Sequence, residues 1–208
     1  MQGKGILVVI SGFSGAGKGT LVKRLLCDCD DYALSVSMTT RGMREGEVDG
    51  RDYFFVTKDA FEDAIKNDML VEHASYCGNY YGTPKAYVDK MLSEGKCVIL
   101  EIEVQGAMQI KEKFPDTLLL FVTPPSIKIL ENRLRGRGTE TEEVIAKRLR
   151  QAMDEAKLME KYEYLIINDD LDECVKQTDE IIHAALFEAS RNADFISDMK
   201  QQLAEINK

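Results

Sequence analysis

The chain lacks any apolar run near the roughly 18 residues that a membrane span requires. Its start, Met1-Gln2-Gly3-Lys4-Gly5-Ile6, has no long apolar stretch of the signal-peptide kind. A cytoplasmic protein is expected on both counts. A CxxC pair is also missing. The five cysteines, Cys27, Cys29, Cys77, Cys97 and Cys174, are odd in number and scattered, and His73 and His183 complete no zinc-like spacing. They read as reduced, mostly buried thiols rather than as redox or metal groups. Nor is there an excess of positive charge: 27 basic against 36 acidic residues leave −9, which argues against an extended, non-specific grip on nucleic acid. Internal repeats and low-complexity stretches are absent.

What is present describes an ordinary globular protein. With 208 residues, 44% of them hydrophobic and 30% charged, the chain can bury one core and carry small insertions. Its charge is uneven. Residues 126–150 hold 7 basic and 4 acidic residues (+3), whereas 151–208 hold 6 and 14 (−8). The basic stretch is either a solvated helix face or an anion-handling segment.

Continuous apolar runs at Ile6–Ile10, Cys97–Ile102, Leu118–Val122 and Tyr164–Ile167 predict strands buried on both faces, with helical segments between them. The fold class is therefore α/β, with a mostly parallel sheet flanked by helices. Two regions interrupt the alternation. The first, 37–96, mixes short extended pieces with a helix after Thr57 and another beginning at Pro84. The second, 126–150, is nearly all polar and helical, with Thr139 and Glu142 as a capping box. The expected layout is a core (5–36, 97–125 and 151–190), an inserted acceptor lobe (37–96), a mobile basic lid (126–150) and a helical tail (191–208). In the tail, Phe195, Met199, Leu203 and Ile206 recur at near-helical spacing and are expected to pack back on the domain.

The sharpest motif is Gly12-Phe13-Ser14-Gly15-Ala16-Gly17-Lys18-Gly19-Thr20, between a buried strand and a helix. Glycines let successive N–H groups turn inward, the helix N-terminus favours anions, and Lys18 brings an ammonium to the β and γ phosphates of a nucleotide. Gly19 stands where a phosphate loop usually has Ser or Thr. Mg²⁺ should then be held mainly by nucleotide and water, near Thr20 and Glu101. No guanine-reading GTPase motif is present.

Arg41 and Arg44, with Tyr53 and Tyr81, have the chemistry of a monophosphate clamp, because arginine forks bind phosphate bidentately and tyrosine hydroxyls add donors. Glu101 and Glu103 end the strand in LEIE, at the carboxyl edge where ligands bind in such sheets. Their division of labour is open, and a structural role for one of them is equally compatible. Asn168 and Asp169 follow the last core strand, either near the adenine end of ATP or simply as turn residues.

The ordered set GxxGxGKGT, SxTTRxxRxGExxGxDY, GNYYGTP, LEIEVQGA, RLRGRGTET and INDDL, spanning nearly residues 6 to 190, resembles the bacterial-type guanylate kinases of the nucleoside monophosphate kinase family. That resemblance implies a P-loop kinase fold with a GMP-binding lobe and a helical lid. It implies transfer of the ATP γ-phosphoryl to GMP with Mg²⁺, giving ADP and GDP in purine metabolism and GMP recycling. Ser37, Glu72 and Thr83 match the base-reading positions, with Glu103 also on the acceptor side. Arg133, Arg137 and Arg148 match the phosphate-closing arginines. The chemistry agrees: guanine offers N1–H and N2–H₂ donors side by side to a carboxylate such as Glu72, while Ser37 and Thr83 hydroxyls can donate to O6. A site of buried polar partners can reject the wrong base by roughly 10⁴. No HRD-like motif supplies a base, and a monophosphate oxygen needs none. The competing readings are a catalytically silent interaction module and a kinase with another acceptor. The lysine and lid arginines argue against the first, and the Ser37, Glu72, Thr83 set against the second. Oligomeric state is open, a homo-oligomer included.

Overall fold

The computed structural model describes residues 5–76, 78–136 and 141–206. The first apolar run forms β1 (Leu7–Gly12), buried along its whole length. After it comes α1 (Lys18–Asp28), which buries Leu21, Val22 and Leu25. The short β2 (Tyr32–Leu34) leads into the inserted lobe: β3 (Met38–Thr39), β4 (Phe54–Phe55), α2 (Lys58–Lys66), β5 (Leu70–Tyr76) and β6 (Asn79–Pro84). The chain returns through α3 (Lys85–Ser93) to β7 (Cys97–Glu101), α4 (Val104–Lys113) and β8 (Leu118–Thr123). It then forms α5 (Ile127–Gly136), α6 (Glu142–Ala156), β9 (Tyr164–Ile167), α7 (Leu171–Leu186) and α8 (Ala193–Ile206). Among the described residues no helix is long and apolar enough to cross a membrane.

Five strands make the core sheet in the order β2-β7-β1-β8-β9, all parallel. Helices cover it, and β1, β7 and β8 are apolar on both faces because both are buried. The strands β1 and β8 approach so closely at Gly12 that a Cβ there would overlap the Val122 carbonyl. In the lobe, a second sheet in the order β4-β3-β6-β5 packs against its own small core of Phe61, Ala64 and Leu70. Thr57 caps α2, its hydroxyl accepting the Ala60 N–H at 3.2 Å. The lobe is tied to the main body through α4. The Gln109 amide exchanges two hydrogen bonds with the His73 backbone, and the Lys113 ammonium donates to the Val71 carbonyl at 3.1 Å.

Several expectations are corrected. The segment 126–150 is not a nearly all-polar cover: Leu130, Leu134 and Ile145 are buried in the main core, the two leucines against Gly15. Thr141 caps α6, its hydroxyl accepting the Val144 N–H; Thr139, expected as the cap, lies outside the described residues. Pro84 ends β6 and precedes α3 rather than opening it. Burial on both faces fails for β9, an edge strand in which only Ile166 is buried. The tail helix α8 does not pack back on the domain. None of its residues is buried, and Phe195, Met199, Leu203 and Ile206 are all exposed.

Candidate active site

The carboxyl ends of β1 and β7 open into a cleft of about 420 Å³ between the core, the lobe and α6. Ligands bind at this edge of open parallel sheets. From the phosphate loop and α1 the cleft receives Ser14, Gly15, Gly17, Lys18, Gly19 and Thr20. From the lobe it receives Ser37, Arg41, Arg44, Tyr53, Glu72 and Tyr81, and from the end of β7 it receives Glu101 and Glu103. Arg148 reaches it from α6.

The phosphate loop is braced from within and from the core. Gly15 and Gly17 take φ of 94° and 95°, in the left-handed region that turns successive amides to one side. The Lys18 ammonium donates to the Gly12 and Phe13 carbonyls at 2.7 and 3.2 Å, curling back over its own loop. Phe13 is buried edge-on against Phe121, and Ala16 is buried too, so these two serve as anchors and do not line the cleft.

On the lobe, the Arg41 guanidinium lies over the Tyr53 and Phe55 rings, 5.2 and 5.6 Å from their centroids. Glu47 holds it from the other side with two hydrogen bonds of 2.9 and 2.8 Å, and also accepts the Arg44 N–H at 2.8 Å. That pairing lowers the Glu47 pKa and raises the Arg41 pKa, keeping both charged. Tyr53 stands edge-on to Tyr81, and burial pushes its hydroxyl up to about 12, so it remains a donor. Glu72 on β5 is 2% exposed. Burial pushes its carboxyl up to about 7, against the opposing pull of the Thr83 hydroxyl, which donates to it at 2.7 Å. The single proton of Thr83 is thus committed to Glu72, and Thr83 itself does not line the cleft.

Glu101 and Glu103 face Lys18, and burial raises both carboxyls above their usual range against the pull of that lysine. A Cβ added at Gly19 would stand 3.6 and 3.7 Å from the two Glu101 oxygens, so the glutamate carboxylate lies beside the place where a hydroxyl-bearing residue would sit. Among the described residues no three carboxylate, imidazole or thiol groups converge to hold a metal ion. The oxygens of Thr20 and Glu101 fit a hard cation that takes its other donors from phosphates and water.

The remaining sequence candidates fall elsewhere. Arg133 donates to the Asn168 and Ala16 carbonyls at 2.9 and 3.4 Å, clamping the loop from outside the cleft. Asn168 is buried, and its amide also donates to the Ala16 carbonyl at 2.8 Å; a Cβ at Gly17 would overlap that amide. Asp169 is exposed outside the cleft, and Asp170 beside it caps α7, accepting the Glu173 N–H at 3.0 Å. Arg148 bonds to the Ser14 hydroxyl. Arg137 lies outside the described residues.

Four residues in or behind the site escaped sequence reasoning, of which only Lys23 lines the cleft. Glu47 was visible inside the RxGE motif, but only the fold shows it seizing Arg41. Lys23 lines the cleft one helical turn beyond the phosphate loop. Gly106 on α4 lies under the Glu72 carboxylate. Glu155 on α6 is 7% exposed, and burial and the nearby Glu103 push it up to about 7. No local motif marks Lys23 or Glu155, and Gly106 stands inside LEIEVQGA without any sign there of the carboxylate it adjoins.

Comparison with known proteins identifies the family. A family model described as guanylate kinase matches residues 4–185. A guanylate kinase of Lactococcus lactis subsp. lactis is 49% identical over 191 residues, covering 92% of this chain and 93% of its own length. One from Streptococcus thermophilus is 49% identical over 192 residues, 92% of each chain. The crystal structure of guanylate kinase from Anaplasma phagocytophilum superposes with a TM-score of 0.77 at 30% identity, covering 91% of this chain and 90% of that one. With a family model matched over residues 4–185 and relatives 49% identical over 92% of its length, the chain belongs to the guanylate kinase family.

Proposed function

We propose that this protein transfers the γ-phosphoryl group of ATP to GMP, giving ADP and GDP. The observation that carries the reading is the facing of two dissimilar anion sites across one cleft, the phosphate loop on the core and the Arg41, Arg44, Tyr53 and Tyr81 group on the lobe, with buried Glu72 beyond the latter.

The loop amides and Lys18 hold the donor phosphates, Lys18 leaving its two carbonyl partners to do so. Arg41 and Arg44, with the two tyrosine hydroxyls, hold the GMP phosphate. Ionised Glu72 accepts guanine N1–H and N2–H₂, its carboxylate kept in place by Thr83, and Ser37 donates to O6. A phosphate oxygen of GMP is already anionic and attacks without a general base, so the protein's work is alignment and charge neutralisation. Arg148, and Arg137 by the resemblance of its motif, neutralise charge on the moving group. Thr20 and Glu101 would hold Mg²⁺ with its water, and the metal would supply charge neutralisation along the donor phosphates. Arg148, carried to the cleft by α6, also helps to keep water from competing as acceptor.

The test is ADP release from Mg²⁺·ATP with GMP, dGMP, AMP, UMP and dTMP offered separately. GMP is expected to stimulate release selectively, and Lys18→Ala to abolish it with the melting curve unchanged. Equal responses to all five acceptors, or full activity of the lysine variant, would reject the proposal.

A further inference from the structure

Gly106 is an odd residue for its place. It lies in the first turn of α4, away from the positions where glycine is needed for a left-handed backbone, and its φ is not positive. In a helix, glycine costs about 1 kcal/mol relative to alanine. Helix formation therefore gives no reason for it. The reason lies above it: a Cβ at position 106 would overlap Oε2 of Glu72, and would stand 3.1 Å from its Cδ and 3.4 Å from the Ile102 side chain.

Two other features fix the same carboxylate. Its Oε1 receives the Thr83 hydroxyl at 2.7 Å, and the side chain is almost fully buried. The strand that bears it is held to α4 by the Gln109 and Lys113 bonds to the backbone of His73 and Val71. Helix and strand cannot separate easily to admit a methyl group, so the carboxylate has to yield. Within α4 the first hydrogen bond runs from the Ala107 N–H to the Glu103 carbonyl. The amides before it, Gly106 included, have no partner inside the helix, and this end of α4 favours the negative charge lying over it.

We propose that Gly106 is a specificity-determining positioning residue: the absence of a side chain there seats the Glu72 carboxylate against α4, at the height from which it reads guanine. The inference rests on the proposed role of Glu72 in base recognition. Gly106 touches no substrate and acts only through that carboxylate. An added methyl group would push Oε2 away from α4 and strain the Thr83 bond, misplacing the acceptor pair that guanine N1–H and N2–H₂ require. Because the displaced atom is the tip of a side chain, the fold survives and the loss falls on recognition.

The experiment is a double-mutant cycle of Gly106→Ala and Glu72→Asp. The shorter aspartate withdraws the carboxylate and leaves room for the methyl group. For all four proteins we would measure KM for GMP, kcat at saturating GMP, the GMP-to-AMP ratio of kcat/KM, ATP affinity and the melting temperature. In the background that keeps Glu72, Gly106→Ala is expected to raise KM for GMP at least tenfold and to erode base selectivity. ATP affinity should change by less than about twofold, and melting should be unchanged or slightly higher. In the Glu72→Asp background the same substitution should change KM by less than about twofold. Equal penalties in both backgrounds would overturn the proposal, as would an unchanged KM in the Gly106→Ala single variant. Unfolding in both backgrounds would overturn it too, since the clash would then involve something other than the carboxylate. A wild-type enzyme that does not respond to GMP would instead defeat the reading of the site on which the inference rests.

Discussion

A carboxyl group 2% exposed and pushed up to about 7 titrates where enzymes are ordinarily assayed. Glu72 must be ionised to accept two guanine N–H groups, so GMP binding should weaken as pH falls through that value. With a pKa near 7, the unprotonated fraction falls about tenfold from pH 8 to pH 6, and KM for GMP should rise by a similar factor. The second ionisation of the GMP phosphate, near pH 6, adds a slope of its own. A Glu72→Gln variant carries that slope alone, and the difference between the two profiles is the reading; coincident profiles would show that Glu72 does not titrate in this range. Stability runs the opposite way. A folded-state pKa raised above the unfolded value means that the folded protein holds the proton more tightly. The associated stability is complete below about pH 4 and is lost as pH rises through about 7. Glu155, pushed up to about 7 mainly by burial, adds to the same trend, so the ligand-free enzyme should melt at a lower temperature at pH 8 than at pH 6.

Among the elements, the phosphate loop depends on braces that it does not contain. Asn168, on the segment after β9, reaches back to the Ala16 carbonyl and fills the space over Gly17, while Arg133 of α5 fastens the Asn168 and Ala16 carbonyls together. Asn168→Ala would remove an amide that occupies this buried space and leave the Ala16 carbonyl with the longer Arg133 bond alone. ATP affinity is expected to fall several-fold while GMP affinity stays within about twofold, because the brace acts on the core side of the cleft; titrations of each nucleotide separate the two, and an equal loss for both would refute it. The loop itself was legible in sequence because its meaning lies in local spacing, glycines and a lysine between an apolar run and a helix. GNYYGTP and LEIE were legible for the same reason. The Asn168 brace lay open to two readings, turn residue or nucleotide contact, because choosing required knowing that β9 runs beside β8, which brings residue 168 to residue 16. Gly106 was hidden more deeply. Its relation to Glu72 exists only because α4 docks on β5, 34 residues away in sequence, and a glycine inside a helix carries no signature of the atom it makes room for.

At the scale of the whole molecule, stabilisation is concentrated in a continuous apolar body that includes the sheet, α1, α4, α7 and the buried faces of α5 and α6. The lobe keeps a small separate core. The tail helix belongs to neither. Its apolar residues recur as the spacing predicts, yet periodicity shows only that a helix has an apolar face, and here that face remains exposed. Hydrophobic stabilisation scales with area removed from water, so an element that buries no residue adds little to folding free energy. The segment just before it is different. Asn192 donates to the Leu186 and Glu188 carbonyls and closes the end of α7, and Arg191 donates to the Asp116 carbonyl at the entrance to β8. A chain ending at Asn192 keeps those bonds and loses only α8 and the residues after it. Its melting temperature is expected to stay within about 3 °C of the full chain, with kcat/KM for GMP unchanged, because among the described residues the cleft receives nothing from beyond Arg148. A chain ending at Leu186 should melt clearly lower, since both sets of tail bonds are then gone. If the two truncations were equally destabilised, α8 would have to be a packed part of the fold, and the boundary between body and tail would lie beyond Asn192.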